Sequence, residues 1–268
     1  MAWHETEDVE QYLAAAGDLL FAEPGLHTIS LTVCENVRAR PDGTRFAWWQ
    51  QPDGEVTGCV SLTPPYPLAI GVVPQEAVSA LVDMWEVPGY NGPSALAVQV
   101  AALAAERRGG RAVLQSASRL FRLGELTPPA VPGRARVAEE RDTAFVVASF
   151  HAFIAETGVI PQDVESTVRD RIGYGGFVLW EDEGPVAMSG VSRVAFGAAR
   201  LGPVWTPPEH RGRGYGGAVT AAASQVALDR GAWEVVLFTD LTNPVSNALY
   251  PRLGYRPVMD RALLLLDG

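Results

Sequence analysis

The sequence predicts an α/β fold on a mixed sheet, and three observations predict it. Residues 201–205 read as a strand running into a glycine-rich turn, Arg211-Gly-Arg-Gly-Tyr-Gly216, that opens a helix. A second strand, 235–239, leads into a short helix with one polar face. Strands and helices alternate on both sides of a Pro/Gly-rich seam, Thr127-Pro-Pro-Ala-Val-Pro-Gly133. The seam predicts a first domain over 1–126, a linker over 127–134 and a second domain over 135–268.

In the first domain, 46–49 and 56–62 read as a hairpin around the Asp53-Gly54 turn, 68–73 as a third strand and 75–84 as a helix. Pro88-Gly-Tyr-Asn-Gly-Pro93 reads as a glycine turn ahead of a helix with Leu96, Val100 and Leu103 on one face, and 112–115 as a strand. Strand, glycine turn, Ala-rich helix and strand also occur in the second domain, which points to an internal duplication. The early turn lacks the arginines of the later one, and Pro93 removes an N–H that an anion would use. One anion site per chain is therefore expected, in the second domain.

That domain opens with a strand near Arg136, followed by helices over 143–156 and 161–171 and strands over 176–181, 186–194 and 200–206. Turns fall at Asp182-Glu-Gly184 and Phe196-Gly197, where Glu181 and Asp182 serve as turn residues. Pro207-Pro208 stops the strand, and glycines at 212, 214, 216 and 217 leave the main chain bare. From Tyr215, Val219, Ala222, Ala223 and Val226 form one helical face. A helix start offers about four unpaired N–H groups and roughly half a positive charge, so the turn is an anion cradle. Arg211 and Arg213 add guanidiniums that match phosphate oxygens.

The turn has no Gly-Lys-Ser/Thr ending, which argues against a P-loop. Gly212-x-Gly214-x-x-Gly217 has the glycine spacing of a dinucleotide fingerprint, but Glu234 begins the next strand where an acid is wanted at its end. Asp240 does end that strand, so a nicotinamide reading stays open at this point. Beyond it, Asn243 suits a helix N-cap, Pro244 the first helical position and Gly254 the residue past the helix end. Asn243, Ser246, Asn247 and Tyr250 then share a face. The final strand is expected at 262–266, closing the second sheet.

Two motifs carry a resemblance. Arg211-Gly-Arg-Gly-Tyr-Gly216 matches Arg/Gln-x-x-Gly-x-Gly/Ala, and Asn243, Ser246, Leu249, Tyr250, Leu253, Gly254 and Tyr255 match Asn-x-x-Ala/Ser-x-x-Leu-Tyr-x-x-Leu-Gly-Phe/Tyr. With both motifs, the chain resembles the GNAT superfamily of acyl-CoA-dependent N-acetyltransferases, closely over 135–268 and faintly before it. The resemblance implies the β-α-α-β-β-β-α-β-α-β order of the GNAT acyltransferase fold, in two tandem GNAT-like domains of which the first is degenerate. It implies acetyl-CoA as cosubstrate and no metal. The pyrophosphate would lie on Arg211, Gly212, Arg213, Gly214, Tyr215 and Gly216, and the pantetheine arm on the backbone of Val204, Trp205 and Thr206, where their strand splays from the next. Asn243 and Asn247 are further contacts, unless Asn243 is only a helix cap. Tyr250 would be the general acid for the leaving thiolate, unless it is only a core tyrosine.

The strand at 200–206 carries no carboxylate, although many members of the family place their base there. Glu156, His151 or a water chain are the alternatives, while Glu209 lies too close to the phosphates. Trp180, Trp205, Phe150 and Phe153 wall an acceptor pocket or belong to the core. A catalytically silent acyl-CoA sensor is the competing reading.

Composition is compatible with this. The net charge of −10 argues against nucleic acid, and all 21 basic residues are arginine. A mean hydropathy of +0.06 supports a sizeable core, and no apolar run approaches the ~18 residues of a membrane span. His4, Glu5, Glu7, Asp8 and Glu10 do not read as a signal peptide, so the cytoplasm is expected. Cys34 and Cys59, with no CxxC, read as buried free thiols. The expected partners are a small-molecule amine acceptor and a second copy in a homodimer, with neither membrane nor nucleic acid.

Overall fold

The computed structural model describes residues 1–39, 43–158 and 163–267. The first half runs β1 (Ala2–Thr6), α1 (Val9–Ala22), α2 (Thr28–Ala39), β2 (Arg45–Gln50), β3 (Val56–Leu62), β4 (Leu68–Ile70), α3 (Val78–Met84), β5 (Gly89–Pro93), α4 (Ser94–Arg108) and β6 (Arg111–Leu123). The second half repeats that order with β7 (Arg134–Val137), α5 (Thr143–Thr157), α6 (Val164–Gly173), β8 (Phe177–Glu181), β9 (Pro185–Val191), β10 (Ala198–Trp205), α7 (Tyr215–Asp229), β11 (Glu234–Asp240), α8 (Pro244–Arg252) and β12 (Tyr255–Asp267). This is the mixed α/β architecture expected. The start of α6 at Pro161 lies outside the described residues. No helix among the described residues is long and apolar enough to cross a membrane.

The chain forms two compact units. One comprises Met1–Leu120, Thr239–Asn243 and Val258–Gly268; the other comprises Phe121–Phe238 and Pro244–Pro257. In the first, the strands run β1-β2-β3-β4-β5-β12-β6. Antiparallel ladders join β1 to β2, β2 to β3 and β3 to β4, and a parallel one joins β4 to β5. In the second unit, β7 to β10 pair antiparallel in turn and β10 pairs parallel with β11. The strand pairing therefore repeats along with the element order.

Alternation of side chains explains the layers. On β8, Val178 packs with Val219, Val235 and Tyr250 on the α7/α8 side, while Phe177 and Leu179 pack with Val146, Phe150 and Val168 on the α5/α6 side. Helix starts are fixed locally; the Asp8 carboxylate, for instance, accepts the N–H groups of Glu10 (2.8 Å) and Gln11 (3.3 Å). Cys34 and Cys59 are buried and free, as expected.

The structure corrects the sequence in the first half. Residues 88–93 are not a turn. Gly89–Pro93 is strand β5, paired antiparallel with Leu265–Arg261 of β12. Its glycines answer crowding rather than an anion. A Cβ on Gly89 would collide with the Leu264 carbonyl, and one on Gly92 would meet the Ile70 Cβ at 2.7 Å. The segment that corresponds by order to the later glycine turn is 71–77, between β4 and the seven-residue α3, where Pro74 leads into a 3₁₀ turn at Gln75–Ala77. The expected linker is also not slack. Gly124 and Thr127 donate their N–H groups to the Gly254 (2.9 Å) and Leu253 (3.0 Å) carbonyls, and Trp180 Nε1 donates to the Pro132 carbonyl (2.8 Å).

The tight β5–β12 contact yields an expectation. Gly89→Ala should destabilise the protein by about 3 kcal/mol, as overpacking does, and denaturant unfolding at unchanged m-value checks it.

Candidate active site

The site is built where two parallel strands part. β10 pairs with β11 over Ala198–Leu201 against Glu234–Leu237, and there the ladder stops. The register of β10 against β9 shifts between Leu201 and Val204, then resumes with Val204 opposite Ser189 and Trp205 opposite Met188. Past Leu201, β10 thus keeps one neighbour and turns its other edge away from β11. Val204 and Trp205, two of the expected backbone contacts, lie on this stretch, and Thr206 follows directly.

Pro207 leads out of β10 through a short 3₁₀ turn at Pro208–His210 into the glycine loop. Gly214 holds φ +84° just before α7, a conformation that side chains resist. The first intrahelical bond of α7 runs from the Ala218 N–H to the Gly214 carbonyl (3.0 Å), so the amides of Tyr215, Gly216 and Gly217 precede the ladder. A Cβ on Gly217 would come within 3.1 Å of Leu249, so this glycine lets α8 approach α7. The bare loop, the helix start and the open edge of β10 suit an anionic group followed by an extended amide-bearing arm.

The loop arginines differ. Arg211 is held on the protein. Its Nε donates to the Thr206 carbonyl (3.0 Å), its Nη2 to Glu156 (2.8 Å), and its guanidinium stacks 4.7 Å from the Trp205 ring centre. Arg213 is exposed. The Tyr215 hydroxyl donates a hydrogen bond to Asp182, tying the head of α7 to the β8–β9 turn. Asp182 is thus more than a turn residue. No local sequence pattern carries this tie, nor the packing of Val131 against Gly214.

On α8, Tyr250 is 5% exposed. Its ring lies between Phe121 and Tyr255, each 5.9 Å away between centres, and its hydroxyl hydrogen-bonds with Ser246. Burial pushes the phenol up to about 12. Asn247, half-buried, lies three residues before it, and Asn243 is exposed just ahead of the helix with its N–H on the Asp240 carbonyl (3.1 Å).

The other expected groups are dispersed. Glu156 is engaged by Arg211, and His151 faces Glu165 at 3.4 Å with both side chains more than half exposed. Glu181 bridges Arg134 and Arg136. The four aromatic residues do not gather into a pocket: Phe150, Phe153 and Trp205 belong with the α5/α6 core, whereas Trp180 packs with the α7/α8 core.

Comparisons agree with this geometry. Residues 140–255 match the model of the acetyltransferase (GNAT) family. A Drosophila protein of solved structure is similar over 98% of each chain, at 16% identity and a TM-score of 0.66. A GNAT-family acetyltransferase from Colwellia psychrerythraea is similar over 100% of each chain, at 14% identity and TM-score 0.61. A GCN5-related N-acetyltransferase from Sphaerobacter thermophilus matches 82% of this chain and 79% of its own, at 19% identity and TM-score 0.56. No curated protein matches in sequence. With both motifs inside the matched stretch, the chain carries a GNAT-family domain over 140–255, and it shares the fold of these solved structures.

Proposed function

We propose that the second unit moves an acetyl or other acyl group from acetyl-CoA to a primary amine of a small molecule, by direct attack in a ternary complex. What carries the reading is the joining of two features in one stretch of chain: the free edge of β10 runs straight into the bare amides at the head of α7.

Arg213 and the amides of Gly212–Gly216 would hold the pyrophosphate, with Arg211 bracing the loop from behind. Backbone groups of Val204–Thr206 would pair with the pantetheine arm, and Asn243 and Asn247 would add polar contacts. The bound cosubstrate supplies a thioester whose carbonyl accepts the amine and whose sulfur departs. An N–H on the free edge of β10 would steady the oxyanion. Tyr250 would present its hydroxyl to the departing sulfur. At about 12 the phenol is a weaker acid than a thiol near ~8.5, so it stays protonated at neutral pH and acts chiefly as a hydrogen-bond donor to the sulfur. With Glu156 engaged by Arg211, the proton of the attacking amine is assigned to water.

A thiol-release assay with acetyl-CoA and a broad amine panel tests the proposal, and tight acetyl-CoA binding without release by any amine would overturn it. Tyr250→Phe should lower kcat by about 10² while leaving the Kd for CoA in place; unchanged turnover assigns the ring to packing alone.

The same residue gives a pH expectation. In the unfolded chain tyrosine releases its proton near ~10, whereas folded Tyr250 keeps it to about 12. The stabilisation is complete below the lower value and is lost as pH rises through the window between them, to the extent of about 3 kcal/mol. Tyr250→Phe should therefore show a shallower alkaline loss of stability than the parent in denaturation midpoints measured across that window.

A further inference from the structure

Where the β10–β11 ladder is still intact, β10 carries Arg200 two residues from the carbonyl that Arg171 bonds, close enough for the two charges to act on each other. Arg171 of α6 donates from Nη1 to the Gly202 carbonyl (2.8 Å) and lies 5.7 Å from the Phe177 ring centre. Arg200, two residues before Gly202 on β10, is half-buried. Among the described residues its guanidinium has no hydrogen-bond or ion-pair partner, and no carboxylate bonds Arg171. The carboxylate that acts on Arg171, Asp170, is ion-paired with Arg193 (3.3 Å), whose guanidinium stacks 3.9 Å from the Tyr174 ring centre. The Tyr174 hydroxyl is itself turned to the Val191 carbonyl (3.3 Å).

This is not a shortage of partners, because the chain has 31 acidic residues against 21 arginines. Half-burying a cation beside a like charge with no counterion is unfavourable. Burial, and then the charge of Arg171, pulls Arg200 down to about 10, which still leaves it a cation at neutral pH. Arg171 reaches the backbone at Gly202, the point where β10 leaves β11, so the pair flanks the inner end of the cleft assigned to the acyl carrier.

We propose that Arg171 and Arg200 bind an oxyanion, a carboxylate or a phosphate, carried by the acceptor, so that the substrate is an anion-bearing amine rather than a simple cationic one. The proposal rests on the transfer reading above. Arg171 would keep Nη1 on Gly202 and offer its remaining donors alongside Arg200, the fork geometry that oxyanions favour. A half-buried pair suits a small molecule better than a protein chain.

Matched acceptors test it: β-alanine against its amide, and phosphoethanolamine against ethanolamine, in the thiol-release assay. At least one anionic member should have a KM about tenfold or more below its neutral partner, and which of them does so identifies the anion. Arg200→Met should erase that preference and Arg200→Lys restore part of it. A second readout needs no turnover. The unfolding temperature of Arg200→Met without ligand should equal or exceed that of the parent, and, with CoA saturating the glycine loop of both proteins, millimolar inorganic phosphate should raise the parent's but not the variant's. Equal KM values within both pairs, or a phosphate shift that survives Arg200→Met, would overturn the proposal. If no amine releases thiol, the transfer reading fails instead, and the phosphate arm still judges the anion site.

Discussion

The end of the β10–β11 ladder at Leu201 is the constraint on which the second unit depends. A parallel pair that stayed joined would satisfy its own backbone groups and leave nothing for a ligand. By shifting register against β9 and leaving β11, β10 keeps the support of one neighbour and frees an edge without unravelling. The chain then needs a tight exit, which Pro207 and Gly214 supply, and the exit leads directly into the start of α7. A rigid frame surrounds this opening. Asp182 fixes the head of α7 through Tyr215, and Arg136 clamps Asp142 (2.5 and 2.7 Å) and Glu181 (2.6 Å) on the far side of the sheet. Such preorganisation lets backbone dipoles act without reorganising.

What was legible in the sequence was local. The glycine loop, the proline stop, the helical face after Tyr215 and the polar face of α8 each depend on residues within a turn or two of one another, and each is found where the spacing places it. Residues 88–93 misled because a glycine needed for a positive φ and a glycine needed for a close neighbour look alike in one dimension. The demand on Gly89 comes from Leu264, far along the chain. The same holds for Asp182 with Tyr215 and for Arg171 with Gly202, where neither partner marks the other. Helices α1 and α2 went unassigned because the first 39 residues hold no motif that anchors a register, though Asp8 caps α1 in the ordinary way.

The two halves show how one plan diverges. Order and pairing repeat, yet the first half replaces the glycine loop by a short passage through Pro74 and a 3₁₀ turn at Gln75–Ala77, and sets side chains beside β4 and β5. Arg261 of β12 donates to the Asn91 carbonyl (3.1 Å) and reaches the Ile70 carbonyl (3.4 Å), so a guanidinium lies against both β4 and β5. Backbone acceptors there are satisfied from within the fold.

The placement of β12 also has a consequence for biosynthesis. Residues 258–268 belong to the compact unit that begins at Met1, and β5 has its antiparallel neighbour only once Arg261–Leu265 are in place. The ribosome makes that stretch after every other residue of both units. Residues 1–120 are therefore made well before the strand that completes their unit, and β5 must wait with an open edge until Arg261–Leu265 have emerged. A translation product ending before residue 258 would lose none of the glycine loop or α8, yet it would leave the unit built on residues 1–120 incomplete.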